Sequence, residues 1–226
     1  RKLSDFILEK LEEEIEKEFP GRKSENNQDE LEKDIERQSF FEEQTSDGYI
    51  ERKGDFDSFY EYIQNNNDGL FVVTAPAGQG KTSRLARLSQ ILKQGCDYRV
   101  ITRFCGATDG CNTVFDVWKG ILKETSVVLP PDESSLISGI DNILDNISDY
   151  PQETIIIIDA LNQIKDGLSM FRWLPRFLPY NVKLIVSMKE DDTSADLLTR
   201  LSMEENTEIH SIKPFESEED YQKLKK

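Results

Sequence analysis

The residues with the clearest chemistry lie in the stretch 71–88, FVVTAPAGQGKTSRLARL. A buried strand, a loop with Gly78 and Gly80, and then Lys81-Thr82 opening a helix follow the order of a phosphate-binding loop. The backbone N–H groups of such a loop and the positive end of the helix dipole converge on one point. We therefore expect Lys81 to bridge the terminal phosphates of a nucleotide and Thr82 to bind Mg²⁺ through its hydroxyl.

The loop departs from G-x-x-x-x-G-K-[ST] at one position, because Ala75 stands where the first glycine is expected. An alanine costs little there if the backbone does not need a positive φ. The alternative, a turn with a chance lysine, is disfavoured by the strand–turn–helix context. The residues expected to contact the nucleotide in this segment are Ala77, Gly78, Gln79, Gly80, Lys81, Thr82 and Ser83.

A second chemical group follows in TIIIIDALNQI, where Asp159 ends a run of four isoleucines. A buried strand that delivers one carboxylate at its C-terminal end is the usual second part of a magnesium–nucleotide site. Ligands of parallel sheets also bind at the carboxyl ends of the strands. We predict that Asp159 and Thr82 hold Mg²⁺ together, and the alternative is that Asp159 caps a turn.

The elements that must position these residues alternate between strands and helices. Continuous apolar runs predict five strands buried on both faces, and therefore a mainly parallel sheet. They lie at about 70–74, 98–104, 154–159, 182–187 and 208–212. A single helix is predicted over about 134–147. The predicted fold is a three-layer α/β P-loop NTPase sandwich with a parallel five-stranded sheet, preceded by an acidic helical segment.

The order of the motifs indicates the class of P-loop protein. In kinase-like members the strand with the aspartate lies beside the strand of the loop. Here a strand and two helices separate the two motifs in sequence, which leaves room for an additional strand between them in the sheet. This order favours the additional-strand ATPases, which are the AAA+ and related group.

We predict three parts: a helical connector at 1–47, the P-loop domain at 48–213, and the start of a helical lid at 214–226.

Composition excludes several function classes. The 226 residues carry a net charge of −16, which argues against a nucleic-acid surface and an anionic membrane surface. The three cysteines form no C-x-x-C, and His210 is the single histidine, so a zinc site is not expected. We expect a reduced, cytoplasmic protein. Because the chain begins without methionine, we also expect it to be part of a longer one.

Beyond these motifs, the chain resembles the nucleotide-binding domain of STAND NTPases, which include the NACHT and NB-ARC families. This resemblance implies that the predicted sandwich is of the AAA+/STAND type. It is most similar to the group near telomerase-associated protein and nephrocystin. The resemblance spans roughly residues 30–226. It rests on DGYIERKGDFDSFYEYI, APAGQGKT, RVITRFCGATDGCNTV, IIIIDALNQI, NVKLIVSMKED and EIHSIKPFESEEDY.

The resemblance implies roles for four further residues. Arg52 matches the arginine of the segment that precedes the P-loop, although Glu51 replaces the family glycine. Pro214 matches a proline that can touch the adenine. Ser187, or Lys189 two residues later, falls where the family has a sensor of the γ-phosphate. The alternative for Lys189 is an exposed lysine in a charged loop.

The same comparison points to a departure beside Asp159. The family sequence "DALDE" has two acids where this chain has Asn162 and Gln163, and neither side chain accepts a proton near neutral pH. Gln163 can still orient a water molecule by hydrogen bonding. We therefore expect slow hydrolysis, with Asp159 and Gln163 as the catalytic pair.

These observations favour a switch that binds ATP (or ADP) with Mg²⁺ and whose nucleotide state controls conformation and self-association. The expected partners are the nucleotide, other copies of the chain or other domains of the full-length protein, with no nucleic acid and no membrane. The alternatives are an AAA+-like ATPase or motor, which should have the missing glutamate, and an interaction scaffold. Guanine-specific binding lacks support because no N-K-x-D stretch occurs.

Two arginines remain open. Arg103 stands near the end of a predicted strand, where it could reach the nucleotide or pair with an acid. Arg84 follows Lys81 on its helix, and we interpret it as a surface or packing residue.

Overall fold

The fold is known from a computed structural model, which describes residues 30–65, 68–165, 173–192 and 194–213. Contacts divide the chain after Lys33, and the unit from Asp34 onward contains the sheet. Residues 1–29 of the predicted helical connector and the predicted lid at 214–226, which includes Pro214, lie outside the described residues. The domain boundaries after 47 and 213 stay predictions. No helix in the described ranges has the length and apolarity to cross a bilayer.

Helices and strands alternate along the chain as the sequence predicts. The helices are α1 Glu30–Asp47, α2 Asp57–Gln64, α3 Lys81–Gly95, α4 Val114–Thr125, α5 Glu133–Ser138, α6 Ile140–Ser148 and α7 Ala195–Leu201. The strands are β1 Phe71–Ala75, β2 Arg99–Phe104, β3 Thr154–Asp159, β4 Val182–Lys189 and β5 Glu208–Ser211. A short 3₁₀ turn, Leu161–Gln163, follows β3. The helix predicted over 134–147 is two helices, because the chain breaks at Gly139 between α5 and α6.

The described strands form one five-stranded parallel sheet in the order β2-β3-β4-β1-β5. This confirms the predicted α/β P-loop NTPase fold. One strand does separate the aspartate strand β3 from the loop strand β1. It is β4, which follows Asp159 in sequence, and not the strand that precedes it. β2 instead lies at the outer edge beside β3.

Successive side chains of the inner strands point to opposite faces, which explains the uninterrupted apolar runs. Ile157 shares a buried cluster with Leu85 of α3, whereas Ile158 shares one with Trp118 of α4. Each fully buried isoleucine contributes roughly 1.5–3 kcal/mol of hydrophobic free energy. The two clusters hold helices on both faces of the sheet. Because β1, β3 and β4 run parallel, their carboxyl ends lie at the same edge.

Candidate nucleotide-binding site

The loop between β1 and α3 has the backbone that its glycines predict. Gly78 and Gly80 have φ values of 78° and 80°, which lie in the left-handed region that residues with a Cβ rarely adopt. Ala75 is the last residue of β1 and does not belong to the positive-φ residues of the described chain. The missing first glycine is therefore compatible with the loop, as expected.

The start of α3 offers donors for an anion. Its first N–H groups have no acceptor within the helix, and the helix dipole adds positive potential there. The Lys81 side chain curls over the loop, where Nζ donates to the carbonyls of Ala75 (2.8 Å) and Pro76 (3.0 Å). Burial lowers the pKa of Lys81, and the nearby charge of Asp159 opposes this effect. The ammonium of Lys81 is therefore bound to the loop and interacts electrostatically with Asp159.

Asp159 lies at the end of β3 and is only 2% exposed. The Thr82 hydroxyl donates to its Oδ2 at 2.7 Å, and the Ser187 hydroxyl donates to its Oδ1. Burial raises the pKa of Asp159, while the hydrogen bonds from Ser187 and Thr82 and the charge of Lys81 act in the opposite direction. The tertiary fold thus brings together the two residues that the sequence predicts as magnesium ligands. Hydroxyl and carboxylate oxygens suit this hard cation.

The two sensor candidates have different surroundings. Ser187 lies on β4 next to the end of β3, where its hydroxyl binds Asp159 and also accepts the Ala160 N–H at 2.9 Å. Lys189, at the end of β4, forms an ion pair with Asp191 at 2.8 Å. Ser187 therefore contacts the carboxylate directly, whereas the ammonium of Lys189 is held by the following loop. A sensor role for either residue stays a prediction.

The turn after Asp159 carries both residues that replace the family acids. Ala160 has a left-handed φ of 58°, and the 3₁₀ turn follows directly. The Asn162 side chain accepts the backbone N–H of Lys189 at 3.0 Å, so it joins this turn to the end of β4. Gln163 is exposed and packs against Gly106, where an added Cβ would lie 3.1 Å from the Cβ of Gln163.

The segment before the P-loop is anchored to α3 through Asp55. The Arg52 N–H donates to Asp55 at 2.8 Å, and its guanidinium Nε lies 3.3 Å from the same carboxylate. Arg84 pairs with Asp55 at 2.7 Å, and both side chains are buried. The Tyr49 hydroxyl also donates to Asp55, and burial, followed by this hydrogen bond, raises the pKa of Tyr49.

Sequence reasoning did not identify this ion pair. Arg84 does pack, but as a buried charge that ties the Arg52 segment to the helix of Lys81. An Arg-x-x-Asp spacing before a P-loop is the signal that could have suggested it. The structure also answers the open question about Arg103. Of the two predicted alternatives, it pairs with an acid, because its guanidinium lies 2.6 Å from the carboxylate of Glu124 on α4.

Fold and site together define the class of this protein as a P-loop NTPase. Within that class the chain belongs to the AAA domain family, whose match covers residues 64–201. A comparison with curated proteins found no match.

Solved structures with the same fold include origin-recognition proteins. The ORC1 protein of Aeropyrum pernix, in complex with DNA, is 14% identical with a TM-score of 0.57, and the match covers 84% of this chain and 52% of that chain. A chain in the structure of Drosophila ORC bound to AT-rich DNA and Cdc6 is 14% identical with a TM-score of 0.50, covering 89% and 65%. This chain therefore spans between 52% and 65% of the length of these two chains. At 14% identity, this structural similarity shows a shared fold alone.

Both of these structures contain DNA, which contradicts the prediction from charge that this chain has no nucleic-acid partner. The physical reason lies in the argument from composition. A net charge of −16 is a sum over the chain, and it does not describe the charge of any particular surface. The acidity of the chain is therefore no ground for excluding nucleic acid.

Proposed function

We propose that this AAA domain binds ATP with Mg²⁺ between the P-loop and Asp159 and hydrolyses it slowly. The observation that carries this proposal is the 2.7 Å hydrogen bond between Thr82 and Asp159. Two residues far apart in sequence, each predicted to hold magnesium, are within direct contact. Lys81 and the N–H groups at the start of α3 supply the positive potential that phosphates require.

The roles follow from the chemistry of each group. Lys81 would exchange its bonds to the Ala75 and Pro76 carbonyls for phosphate oxygens, since it is a mobile point charge on a flexible stem. Thr82 and Asp159 would hold Mg²⁺, which offsets the negative charge of the phosphates. The remaining loop residues, Ala77 to Gly80 and Ser83, would present backbone N–H groups or small side chains.

Slow hydrolysis is supported by the turn that follows Asp159. The Asn162 side chain is engaged with the backbone of Lys189, and Gln163 lacks a carboxylate. A glutamine can orient water but cannot take its proton, and general-base catalysis typically contributes a factor of about 10²–10⁴. The domain would therefore hold ATP for long periods.

The family membership supports an AAA+-like ATPase at least as well as the STAND switch that the sequence resemblance suggests. A switch would bind ATP, change conformation and self-associate with little turnover. A motor would turn over continuously. Arg52, Ser187, Lys189 and Pro214 are the residues through which a switch would detect the nucleotide in this proposal.

The test is to incubate the domain with Mg-ATP or Mg-GTP and to measure bound nucleotide, thermal shift and phosphate release. We expect ATP to bind with slow phosphate release, and Lys81→Ala to abolish binding. Lys119→Ala, on α4 away from the loop, is the matched control and should bind as the unchanged chain does. Absence of binding by either nucleotide would contradict the proposal, and rapid turnover would favour the motor.

A second candidate function is DNA binding, which is supported by the two DNA complexes with the same fold. The measurement is fluorescence anisotropy of a labelled duplex at several salt concentrations, with and without ATP. Binding that weakens as salt increases would support it. No change in anisotropy at low salt would argue against DNA contact by this part of the protein.

A further inference from the structure

Helix α1 carries a buried stripe of polar residues. Asp34, Gln38, Glu42 and Ser46 recur every four residues and are all buried. On the same helix, Phe40 is 60% exposed. An amphipathic helix normally buries its apolar stripe, so this reversal requires a partner that binds polar groups.

That partner is the edge of the sheet. β2 has β3 on one side only, and an edge strand presents unpaired N–H and C=O groups. The Gln38 amide binds both groups of one residue: it accepts the Phe104 N–H at 2.8 Å and donates to the Phe104 carbonyl at 3.2 Å. These are the bonds that a neighbouring strand would make. The same amide donates to Thr108 at 2.8 Å.

One turn further along α1, Glu42 makes a second polar attachment. Its side chain is fully buried and receives hydrogen bonds from Lys93 at 2.8 Å, from Gln90 at 2.7 Å and from Thr102. Lys93 and Gln90 belong to α3, the helix that begins at Lys81. Helix α1 is therefore bound to the sheet edge and to the helix of the P-loop.

The residue that Gln38 binds is adjacent to the candidate magnesium ligand. Phe104 lies opposite Asp159 in the register of β2 and β3. The next residue, Cys105, donates its N–H to the carbonyl of Asp159 at 3.1 Å. Phe41 of α1 also packs on Phe104, with ring centroids 5.1 Å apart. The position of the Asp159 backbone thus depends on the end of β2, which α1 holds.

We propose that Gln38 is a positioning residue for Asp159, acting through Phe104 and Cys105. This inference rests on the proposed function, because it assigns Gln38 to the Mg²⁺–ATP site. Loss of the amide frees the last backbone groups of β2 and lets the end of β3 shift. Metal ligands must be held within about 0.5 Å of their productive positions, so Mg²⁺ binding is more sensitive to this shift than phosphate binding by the loop.

The experiment compares Gln38→Met, which keeps the length of the side chain and removes the hydrogen bonds, with Gln44→Met on the exposed face of the same helix. ATP affinity is measured with Mg²⁺ and with EDTA. For Gln38→Met the gain in affinity from Mg²⁺ should fall by about 3- to 10-fold, at or below the low end for outer-shell partners of metals. Affinity in EDTA should stay within about twofold. Gln44→Met should change neither value.

A structural role alone would lower the melting temperature of Gln38→Met and leave the gain from Mg²⁺ unchanged, and that result would overturn the proposal. If Gln38→Met does not fold, Gln38→Glu takes its place, since its carboxylate can still accept the Phe104 N–H. It should show an intermediate gain from Mg²⁺, and an unchanged gain would again overturn the proposal. Failure of the unchanged chain to bind ATP would refute the proposed function itself, a separate outcome.

Discussion

The hydroxyl of Thr82 donates a 2.7 Å hydrogen bond to the carboxylate of Asp159, across 77 residues of sequence. Thr82 belongs to α3, the helix that follows β1, and Asp159 belongs to β3, which is separated from β1 in the sheet by β4. Their contact depends on how far each strand extends and on the position of the helix after the loop. A site for Mg²⁺ with ATP would be built around this pair.

Removing the hydroxyl tests that pair directly. Thr82→Val keeps the shape of the side chain but loses the oxygen. We expect Mg²⁺-dependent ATP affinity to fall by at least about 10- to 100-fold, because removal of an outer-shell partner of a metal already costs that much. Thr82→Ser retains the oxygen and should stay close to the unchanged chain. Isothermal titration with and without Mg²⁺ measures the effect, and equal losses under both conditions would speak against a metal ligand.

Acidification should weaken Mg²⁺-dependent binding. Burial raises the pKa of Asp159, so its proton is retained to a higher pH than on an ordinary carboxyl group. Mg²⁺ requires the ionised form, and affinity should therefore rise as pH increases through this raised pKa. ATP affinity measured from pH 4.5 to 8 checks this, with Asp159→Asn as the control that should lack the titration step. Identical pH profiles for the two proteins would contradict it.

Ser187→Ala should affect stability and the carboxylate together. The change removes a donor to Asp159 and the acceptor of the Ala160 N–H, and a buried group left unsatisfied costs about 1–3 kcal/mol. Loss of the hydrogen bond should raise the pKa of Asp159 further. Ser89→Ala is the control, because the buried Ser89 hydroxyl has no partner among the described residues. Urea unfolding should separate the two variants, and equal stabilities would refute the prediction.

Restoring an acid tests the proposal that hydrolysis is slow because a carboxylate is missing. Gln163→Glu should increase phosphate release by about 10-fold or more, since a general base typically contributes about 10²–10⁴-fold. ATP affinity should change little, because Gln163 is exposed and lies beyond the loop. Gln64→Glu, at the exposed end of α2, adds the same charge elsewhere and should have no effect. An unchanged rate for Gln163→Glu would show that another feature limits hydrolysis.

The buried pair of Asp55 and Arg84 should be important for stability. Asp55→Ala leaves a buried guanidinium without its carboxylate, which typically costs about 3–5 kcal/mol. A double-mutant cycle with Arg84→Met should show coupling, because the double variant no longer contains an unpaired charge. As a control, Glu204→Ala disrupts the exposed contact with Arg176 and should cost no more than about 1 kcal/mol. Additive losses at Asp55 and Arg84 would contradict direct pairing.

Much of the fold could be predicted from the sequence because the strands are nearly continuous apolar runs. The predicted strand at 154–159 coincides with β3, and the other four differ by one or two residues at their ends. The identity of the separating strand could not be predicted. Any of several apolar strands fits between β1 and β3, and the order is decided by pairing between strands that are far apart in sequence.

The surroundings of individual side chains were less predictable. The buried stripe of α1 is polar, so no apolar periodicity predicts which face of this helix is buried. The stripe is buried because it binds the edge strand β2, and β2 becomes an edge only when the sheet assembles. Asn162 looked like a lost acid, yet its amide holds the backbone of Lys189. Arg103 had two destinations open to it, and Glu124 on α4 is the one it occupies.

The sequence by itself determined the pattern of the candidate site: two glycines, Lys81, Thr82 and Asp159 lie at the ends of buried strands. Short-range backbone rules connect this pattern with phosphate and magnesium chemistry. Tertiary structure alone decided the contacts of Thr82 and Ser187 with Asp159, the anchoring of Arg52 through Asp55, and the attachment of α1 to β2. The physical reason is the separation in sequence between the residues that interact. Turns and strands follow from neighbouring residues, whereas these hydrogen bonds join segments that only packing of the hydrophobic core brings together.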